Sequence, residues 1–497
     1  MPENLRTLVV ILALATVIFM IAKGPACFIA SSKIDFSRRR NIWYAITLTA
    51  FLAHNFWIFI IFTAAIISFT LPKETNRVAL YFFVLLAIPP IRAQITGLGV
   101  INHLFEIDYL RLLALVILLP TYLKIKAQQS IERFGRLLPD KLLLGYLVLQ
   151  CLLLLQANSL TNTLRVGIFY GFIDIFLPYY IISRSLKTLP EFRDALISFV
   201  IPALVLSGIA FFEFLRYWLL YPPLEISLGI SWGYGGYLAR EGSLRAQGST
   251  GHPIVLGYVL AVAIGFSLFL KHSVPDTTKW WLMLGLLAIG LIAALSRGPW
   301  VGTAFLLLAY IASGPSAMLH LSKFAILGVV AFLCLLATPF AEKIIRYLPF
   351  VGSVESETID YRERLLENSI GILLQNPFFG AYDFIYSPAM QEMQQGQGII
   401  DLVNSYLVIG LTSGLIGLGL FVGTFITVAV KISKVMKKLP DRKSEQHALG
   451  QALLATLAGV MVIIFTVSSI NVIPVLYWSI AGLGVAYGYF LPSQHNK

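Results

Sequence analysis

Long apolar stretches, separated by short polar segments, run through almost the whole chain. A helix that crosses a bilayer needs about 20 apolar residues, with a range of about 17–25. Most of the stretches approach that length, so the pattern predicts an all-α, polytopic integral membrane protein with about 12 to 14 transmembrane helices. The candidate spans are 5–22, 42–71, 78–91, 107–122, 141–156, 166–182, 194–217, 254–270, 279–295, 298–312, 322–338, 404–430, 448–468 and 474–491.

The stretch 42–71 is the longest and has two interpretations. It forms either one long tilted helix or a hairpin that turns near His54 and Asn55. The two alternatives place the arginines of segment 38–40 on opposite sides of the membrane.

The short polar segments between the spans are rich in Lys and Arg. Segment 431–443 holds six basic residues against one acidic residue, and 124–141 is similar in character. The positive-inside rule places both in the cytoplasm. Two longer polar loops then lie on the other, external side of the membrane. The basic segments are 33–40, 124–141, 184–193 and 431–443, and the long loops are 219–253 and 339–403.

The second long loop is partly helical by its pattern. Tyr361, Leu365, Ser369 and Leu373 recur at every fourth position, which predicts an amphipathic helix at the membrane interface. The Asn-Pro pair at 376–377 ends it. We therefore divide the chain into N-terminal transmembrane helices at 1–217, a core with both periplasmic loops at 218–430, and a C-terminal transmembrane hairpin at 431–497.

Composition supports a membrane protein and excludes other classes. The chain is 58% hydrophobic and 12% charged, with a mean hydropathy of +0.80, whereas soluble domains carry about 25% charged residues. A soluble enzyme, a disordered scaffold and a nucleic-acid-binding domain are excluded. The net charge of +12 is spread over the basic segments, so it requires no nucleic-acid partner. The three cysteines lie far apart and form neither a disulfide framework nor a zinc spacing.

Arg297 is a charged residue between two apolar spans with almost no loop joining them. Ionisable residues at such positions are functional candidates. A guanidinium binds phosphate through two parallel hydrogen bonds and stays protonated. The functional interpretation is an arginine that lines an outward-open cavity and binds a phosphate. The alternative is a turn residue that snorkels to the interface.

A second cluster, residues 240–253, lies immediately before a span. Arg240 and Arg245 accompany a glycine-rich stretch that ends in His252. Free N–H groups and a helix N-terminus attract anions, so we expect an anion site here, although glycine-rich loops also occur without function. We consider three roles for His252: a base, a hydrogen-bond donor to phosphate, and a helix cap. The helix cap is the favoured role.

A third cluster lies in and after the second loop. Its charges at 360–367 alternate in sign, which is equally typical of a solvated helix. The sequence contains no metal-ligand cluster, no phosphate-binding or dinucleotide fingerprint and no Gly-x-Ser-x-Gly motif, so the expected chemistry uses no metal or other cofactor. The candidate residues are Arg362, Arg364, Glu367, Asp401, Asn404 and Tyr406.

Four segments resemble, in family order, motifs of the O-antigen ligase and polymerase superfamily. They are the Arg-x-x-Gly segment that ends in His-Pro at 245–253, the Ser-Arg-Gly segment at 296–298, the Asn-Pro-Phe-Phe-Gly segment at 376–380, and the Asn-Ser-Tyr-Leu and Gly-Leu-Ile-Gly pair at 404–417. Arg240 with Gly251 is also similar to an arginine–glycine spacing of the polymerases. The ligase motif has His before its Asn, and this sequence has Val403 there, which favours a polymerase or exopolysaccharide variant over a ligase.

The resemblance implies a membrane glycosyltransferase in the bacterial inner membrane with its active site facing the periplasm. The donor would be a glycan on polyprenyl pyrophosphate, and the acceptor a glycan or a lipid-linked unit. Membrane lipid would be a further partner, as would a chain-length regulator or export complex.

Elementary chemistry assigns roles within that expectation. Arg245 and Arg297 would neutralise the leaving pyrophosphate, and Asp401 or Glu367 would orient or deprotonate the acceptor. The alternatives are a lipid-linked oligosaccharide flippase and a non-catalytic scaffold of an export complex. Carriers tend to have internal repeats and charge at the midplane, and neither is evident here.

Overall fold

The computed structural model describes most of the chain, including all ten candidate site residues. Part of each long loop lies outside the described residues, among them most of 339–355. The described residues are 1–29, 32–97, 99, 102–128, 131–157, 159–230, 236–271, 273–274, 276–338, 341, 356–394 and 400–491.

The N-terminal half is a bundle of helices with one small β-hairpin. Its helices are α1 (Glu3–Ile29), α2 (Lys33–Leu52), α3 (Phe56–Thr70), α4 (Arg77–Val84), α5 (Tyr109–Leu113), α6 (Leu119–Lys126), α7 (Leu138–Ala157), α8 (Leu160–Asn162), α9 (Leu177–Ser185) and α10 (Leu189–Arg216), with π-helical segments at Ala114–Leu118 and Thr163–Phe176 and 3₁₀ turns at Leu71–Lys73. The hairpin pairs β1 (Arg92–Thr96) with β2 (His103–Asp108) in antiparallel register.

The C-terminal half is also helical, apart from a second hairpin of β3 (Ala239–Arg240) and β4 (Ser243–Leu244). Its helices are α11 (Pro223–Leu228), α12 (Pro253–Leu270), α13 (Thr277–Ala293), α14 (Arg297–Ser313), α15 (Ala317–Leu336), α16 (Ser356–Gln375), α17 (Pro388–Gln391), α18 (Ser405–Lys438), α19 (Glu445–Thr466) and α20 (Ile473–Val485), with a π-helical end at Ala486–Phe490 and 3₁₀ turns at Gly248–Thr250 and Phe384–Tyr386. Helix α19 packs against α12, α14 and α18, so the C-terminal hairpin contacts the core directly.

The prediction of an all-α, polytopic membrane protein is confirmed. Ten described helices are long and apolar enough to cross a membrane, and the shorter apolar helix α13 adds to them. One expected span differs: 78–91 forms only the eight-residue α4, which is too short to cross a bilayer. The β1–β2 hairpin follows it, and hydropathy alone did not indicate these strands.

The stretch 42–71 is a hairpin of two helices. Helix α2 ends at Leu52 and α3 begins at Phe56. His54 adopts a positive φ of 49°, and the Asn55 side chain accepts hydrogen bonds from the first N–H groups of α3. The polar cap therefore stops one helix and starts the next, as the hairpin alternative predicted.

Ion pairs gather the basic segments at one end of the bundle. Arg39 binds Asp194 at 2.7 Å, which joins segment 33–40 to the residue that directly follows segment 184–193. From that second segment, Arg184 binds Asp140 and Arg193 binds Glu445. Segments 33–40, 124–141, 184–193 and 431–443 therefore share one end, which we name the basic end.

The two polar loops lie at the opposite end, which we name the loop end. The N-terminus is also there, because the Glu3 carboxylate accepts a hydrogen bond from the Trp218 indole. Ser227 donates to the backbone oxygen of Phe51, so the α2–α3 turn is on the same side. The chain therefore separates its basic segments from its long loops by the thickness of the bundle.

We predict that the loop end faces the periplasm. In a background without native cysteines, Ser243→Cys and Gln394→Cys should react with a membrane-impermeant thiol reagent in intact spheroplasts. Asp441→Cys, at the basic end, is the control and should react only after lysis. Labelling of Asp441→Cys in intact cells, with protection of the other two, would reverse the orientation.

Candidate functional site

The segment 467–472, between α19 and α20, ties the start of α18 to the loop end. The Ser405 hydroxyl donates to the backbone oxygen of Val467 at 2.8 Å. The Ser468 hydroxyl donates to the backbone oxygen of Leu402 at 2.6 Å. These bonds fix residues 401–406, the segment that leads into α18 and carries three of the candidate residues.

The same part of the chain reaches the two arginine clusters. The Asn471 amide donates to the backbone oxygen of Thr250 at 3.1 Å. Gly298, beside Arg297, packs so closely on α19 that a Cβ at this position would lie 2.4 Å from the Thr466 hydroxyl. Parts of all three candidate clusters therefore lie at the loop end, on chain that contacts the segment 466–471.

The first loop folds back onto the turn between α13 and α14. The Ala246 N–H donates to the backbone oxygen of Ala293 at 3.1 Å. The Arg240 guanidinium donates to the backbone oxygen of Leu295 at 2.7 Å. The Arg240 guanidinium is therefore held at Leu295, which lies two residues before Arg297 in the chain.

Glu213, near the end of α10, anchors the loop that carries Arg245. Its buried carboxylate accepts hydrogen bonds from the N–H groups of Gln247 and Gly248, both at 2.9 Å, and of Leu220 at 3.0 Å. Sequence reasoning missed this residue. The available signal was an acidic residue inside the apolar run 194–217.

Arg245 is a half-buried arginine that binds no carboxylate among the described residues. It forms no ion pair with any described residue, and its Nε atom is buried without a hydrogen-bond partner in that part of the chain. Burial, and then repulsion by Arg240, lowers the pKa of Arg245 to about 10. By contrast, the buried Arg39 and Arg184 both bind carboxylates. An anionic ligand would supply the negative charge that no described carboxylate provides beside Arg245.

Arg297 is the first residue of α14, where the helix dipole is positive. The preceding Ser296 occupies the N-cap position, but its side chain makes no capping hydrogen bond. The first-turn N–H groups of α14 therefore remain uncapped by this side chain. Such a terminus favours an anion, and Arg297 lies directly on it.

His252 caps α12, as predicted. Its Nδ1 atom accepts a hydrogen bond from the Ile254 N–H at 3.2 Å. Burial, followed by repulsion from Arg245, lowers the pKa of His252 to about 4, so the ring is neutral near pH 7. Since Nδ1 is the acceptor, the proton lies on Nε2. His252 can therefore donate a hydrogen bond to a ligand but is a poor base.

Helix α18 is broken at Gly414, and the second loop fills the break. Gly414 has φ 63° and ψ −169°. The N–H groups of Leu415 and Ile416 donate to the backbone oxygens of Pro377 and Phe378, at 2.8 and 3.2 Å. The Asn-Pro-Phe-Phe-Gly segment thus satisfies backbone groups that a broken membrane helix would otherwise leave open.

Helix α16 confirms the amphipathic helix in the second loop. Leu365, Ser369 and Ile372 are buried against the loop, whereas Leu366, Ile370 and Leu374 form an exposed apolar stripe. Its position at the membrane interface stays a prediction, which the stripe supports.

Asp401 sits beside α16. The Tyr361 hydroxyl accepts a hydrogen bond from the Asp401 N–H at 3.0 Å. Asp401 is an exposed residue, but partial desolvation of its carboxyl raises its pKa, while Arg362 opposes this shift. Arg364 and Glu367 are exposed on α16, and among the described residues the structure does not bring either to the arginines.

Asn404 and Tyr406 both have structural contacts. The Asn404 side chain caps α18 through the N–H groups of Tyr406 and Leu407. The Tyr406 hydroxyl donates to the backbone oxygen of Met461 at 2.9 Å. These bonds hold the first turn of α18 against α19.

An apolar groove begins beside Tyr406. It has a volume of about 430 Å³ and is lined by Phe305, Tyr406, Ala458, Met461, Val462 and Phe465. Phe305 and Phe465 are 45% and 59% exposed. The groove thus opens on the apolar outer surface beside α14 and α19, the two helices that meet at Gly298 and Thr466.

Residues 282–422 match the O-antigen ligase family model. The match confirms the resemblance to the O-antigen ligase and polymerase superfamily and supports a glycosyltransferase-like role in polysaccharide synthesis. It includes Arg297, Asp401 and the α18 break; the loop with Arg240 and Arg245 precedes it. No curated protein matches the chain.

We predict that Gly414→Ala destabilises the protein. A Cβ at Gly414 would lie 2.2 Å from the backbone of Phe378, and its backbone conformation is essentially restricted to glycine, so the cost should be at least about 2 kcal/mol. The melting temperature in detergent should fall clearly. Gly419→Ala is the control, since nothing lies within 4 Å of that site. Equal melting temperatures for both variants would contradict the interlock.

We predict that His252 contributes to the acid sensitivity of the fold. Its folded-state pKa lies below the ordinary value of about 6.5, so its contribution is full above that pH and is lost as pH falls toward about 4. His252→Asn keeps a capping acceptor without a titrating ring. Melting temperatures measured across this window should fall less in the variant, and an unchanged loss would refute the assignment.

Proposed function

Because residues 282–422 match the O-antigen ligase family, we propose that the chain is a membrane glycosyltransferase that uses glycans linked to polyprenyl pyrophosphate. It polymerises or transfers these units on the periplasmic face of the bacterial inner membrane. The observation that carries the proposal is Arg245, a half-buried arginine with a buried Nε atom and without a carboxylate partner among the described residues.

The arginine cluster suits the pyrophosphate of the donor. Arg240 and Arg297 both lie at the turn between α13 and α14, and the charge of Arg240 acts on Arg245. Their planar forks bind phosphate oxygens in pairs, and the N-terminus of α14 adds a positive dipole. His252 would donate from Nε2. Together these groups would hold a double phosphate without a metal ion.

The apolar groove beside Tyr406 suits the first isoprene units of the donor tail. Its exposed phenylalanines allow a lipid to enter from the membrane side. A donor seated this way would place its headgroup at the loop end and its tail among lipid chains. This arrangement matches the amphipathic character of the substrate.

The reaction then needs one transfer step. The acceptor oxygen bonds to C1 of the donor sugar as the bond from C1 to the pyrophosphate oxygen breaks, with inversion at C1. The bonding electrons leave with pyrophosphate, whose growing charge the arginines stabilise. The acceptor proton passes to Asp401. The raised pKa of its carboxyl makes the carboxylate a stronger base than an ordinary aspartate.

The product class follows from Val403. It stands where the ligases have histidine, directly before the capping Asn404, so a histidine role there cannot apply. We therefore favour transfer to another lipid-linked unit, as in O-antigen or exopolysaccharide polymerisation, over transfer to lipid A core. A chain-length regulator or export complex would be the partner of such a polymerase.

We predict that Arg297→Lys lowers polymer yield at least about tenfold, because lysine keeps the charge and loses the fork. Polymer is measured per unit of membrane-inserted protein. Arg136→Lys, an exposed arginine at the basic end, is the matched control and should retain normal yield. Near-normal polymer from Arg297→Lys would remove the phosphate-fork role.

A detergent assay separates a transferase from a flippase. Purified protein supplied with a glycan on polyprenyl pyrophosphate should release polyprenyl pyrophosphate and extend or transfer the glycan. EDTA should not stop it, because no group of three metal-ligating side chains occurs among the described residues. A flippase would leave the donor intact, since detergent offers no membrane to cross.

Variants sharpen the same assay. Arg245→Ala should abolish turnover, since the leaving pyrophosphate loses the positive charge of Arg245. Asp401→Asn should lower turnover more than donor binding if Asp401 is the base. Donor left intact by folded wild-type protein would favour the carrier instead.

A further inference from the structure

A second groove, at the basic end, is unrelated to the transfer site. It lies between the first three turns of α2 and the end of α3 and has a volume of about 670 Å³. Lys33, Ser37 and Asn41 line its polar mouth, and Ile42, Ala45 and Ile66 line its apolar part. We propose that this groove binds an anionic diacyl phospholipid.

The length of the groove matches one leaflet. Lys33 and Ala45 are twelve residues apart on α2, which corresponds to about 18 Å at 1.5 Å per residue. The hydrocarbon core of one leaflet is about 15 Å thick. A lipid in the groove would therefore place its phosphate near Lys33 and its acyl chains along Ile42, Ala45 and Ile66.

The charges at the mouth select an anion. Lys33 is exposed and has no ion-pair partner within the described ranges. The nearby acids, Asp35 and Glu74, are buried behind Arg38, which binds both of them. An approaching phosphate therefore meets cations and hydroxyl or amide donors before it meets a carboxylate.

Arg38 is fixed in place by these acids. It uses Nε for Glu74 and Nη2 for Asp35, which leaves the N–H groups of Nη1 for a ligand. Since Glu74 also binds Arg39, which in turn binds Asp194, and Asp35 accepts a hydrogen bond from the Thr75 hydroxyl, both acids are held from a second side. The groove is thus built before any lipid arrives, which lowers the cost of binding.

The test compares phosphatidylglycerol with phosphatidylcholine of the same acyl chains. The purified full-length chain is examined by native mass spectrometry, and lipid retention is counted at matched lipid concentration. Wild-type protein should retain phosphatidylglycerol at least about fivefold better. Lys33→Gln should remove about fivefold of that retention, the effect of one charge near a membrane surface.

Two further variants complete the design. Lys437→Gln removes a charge from the same end of the bundle, away from the groove, and should change nothing. Ala45→Phe narrows the apolar part and should lower retention of both lipids, with lipid-free melting temperatures as the folding control. Equal retention of the two lipids by wild type, or of phosphatidylglycerol by Lys33→Gln and Lys437→Gln, would overturn the proposal.

Discussion

Charge that is removed from water must be compensated, and this constraint organises the whole molecule. At the basic end, buried arginines bind carboxylates: Arg39 holds Glu74 and Asp194, and Arg184 holds Asp140. At the loop end, Arg245 lies half-buried beside Arg240 with no such partner in the described part of the chain. Protein carboxylates thus neutralise the buried arginines at the basic end, whereas none of the described carboxylates neutralises Arg245 at the loop end. A bound anion would neutralise it.

Backbone polar groups obey the same requirement. A helix within a membrane can break only where another part of the protein accepts its free N–H and C=O groups. The break in α18 at Gly414 is filled by residues 377–381, and the loop that carries Arg245 is tied down by the Glu213 carboxylate. Both devices hold irregular chain at the loop end, so the candidate site rests on fixed backbone although it is built largely from loops.

Features that the membrane imposes were predictable from sequence, since they depend on local composition. The spans, the basic segments and the His252 cap follow from hydropathy, charge and helix-end chemistry. The break at Gly414 did not follow, because the glycines at 410, 414, 417 and 419 look alike until the partner segment is placed. Glu213 was hidden for a related reason: a single acid in an apolar run does not disclose which distant N–H groups it binds. The four-residue spacing of α16 revealed a helix, yet it could not show which of its charged residues face the arginines.

The proposed function depends above all on Arg245 binding the pyrophosphate of the donor. An electron cryo-microscopy structure of the full chain in lipid nanodiscs, with a polyprenyl-pyrophosphate glycan bound, tests it most directly. We expect phosphate oxygens of the donor to lie within about 2.7–3.2 Å of the Arg245 guanidinium, and the lipid tail of the donor to lie in the groove beside Tyr406. A donor pyrophosphate seated elsewhere, with Arg245 bound to a protein carboxylate, would contradict it.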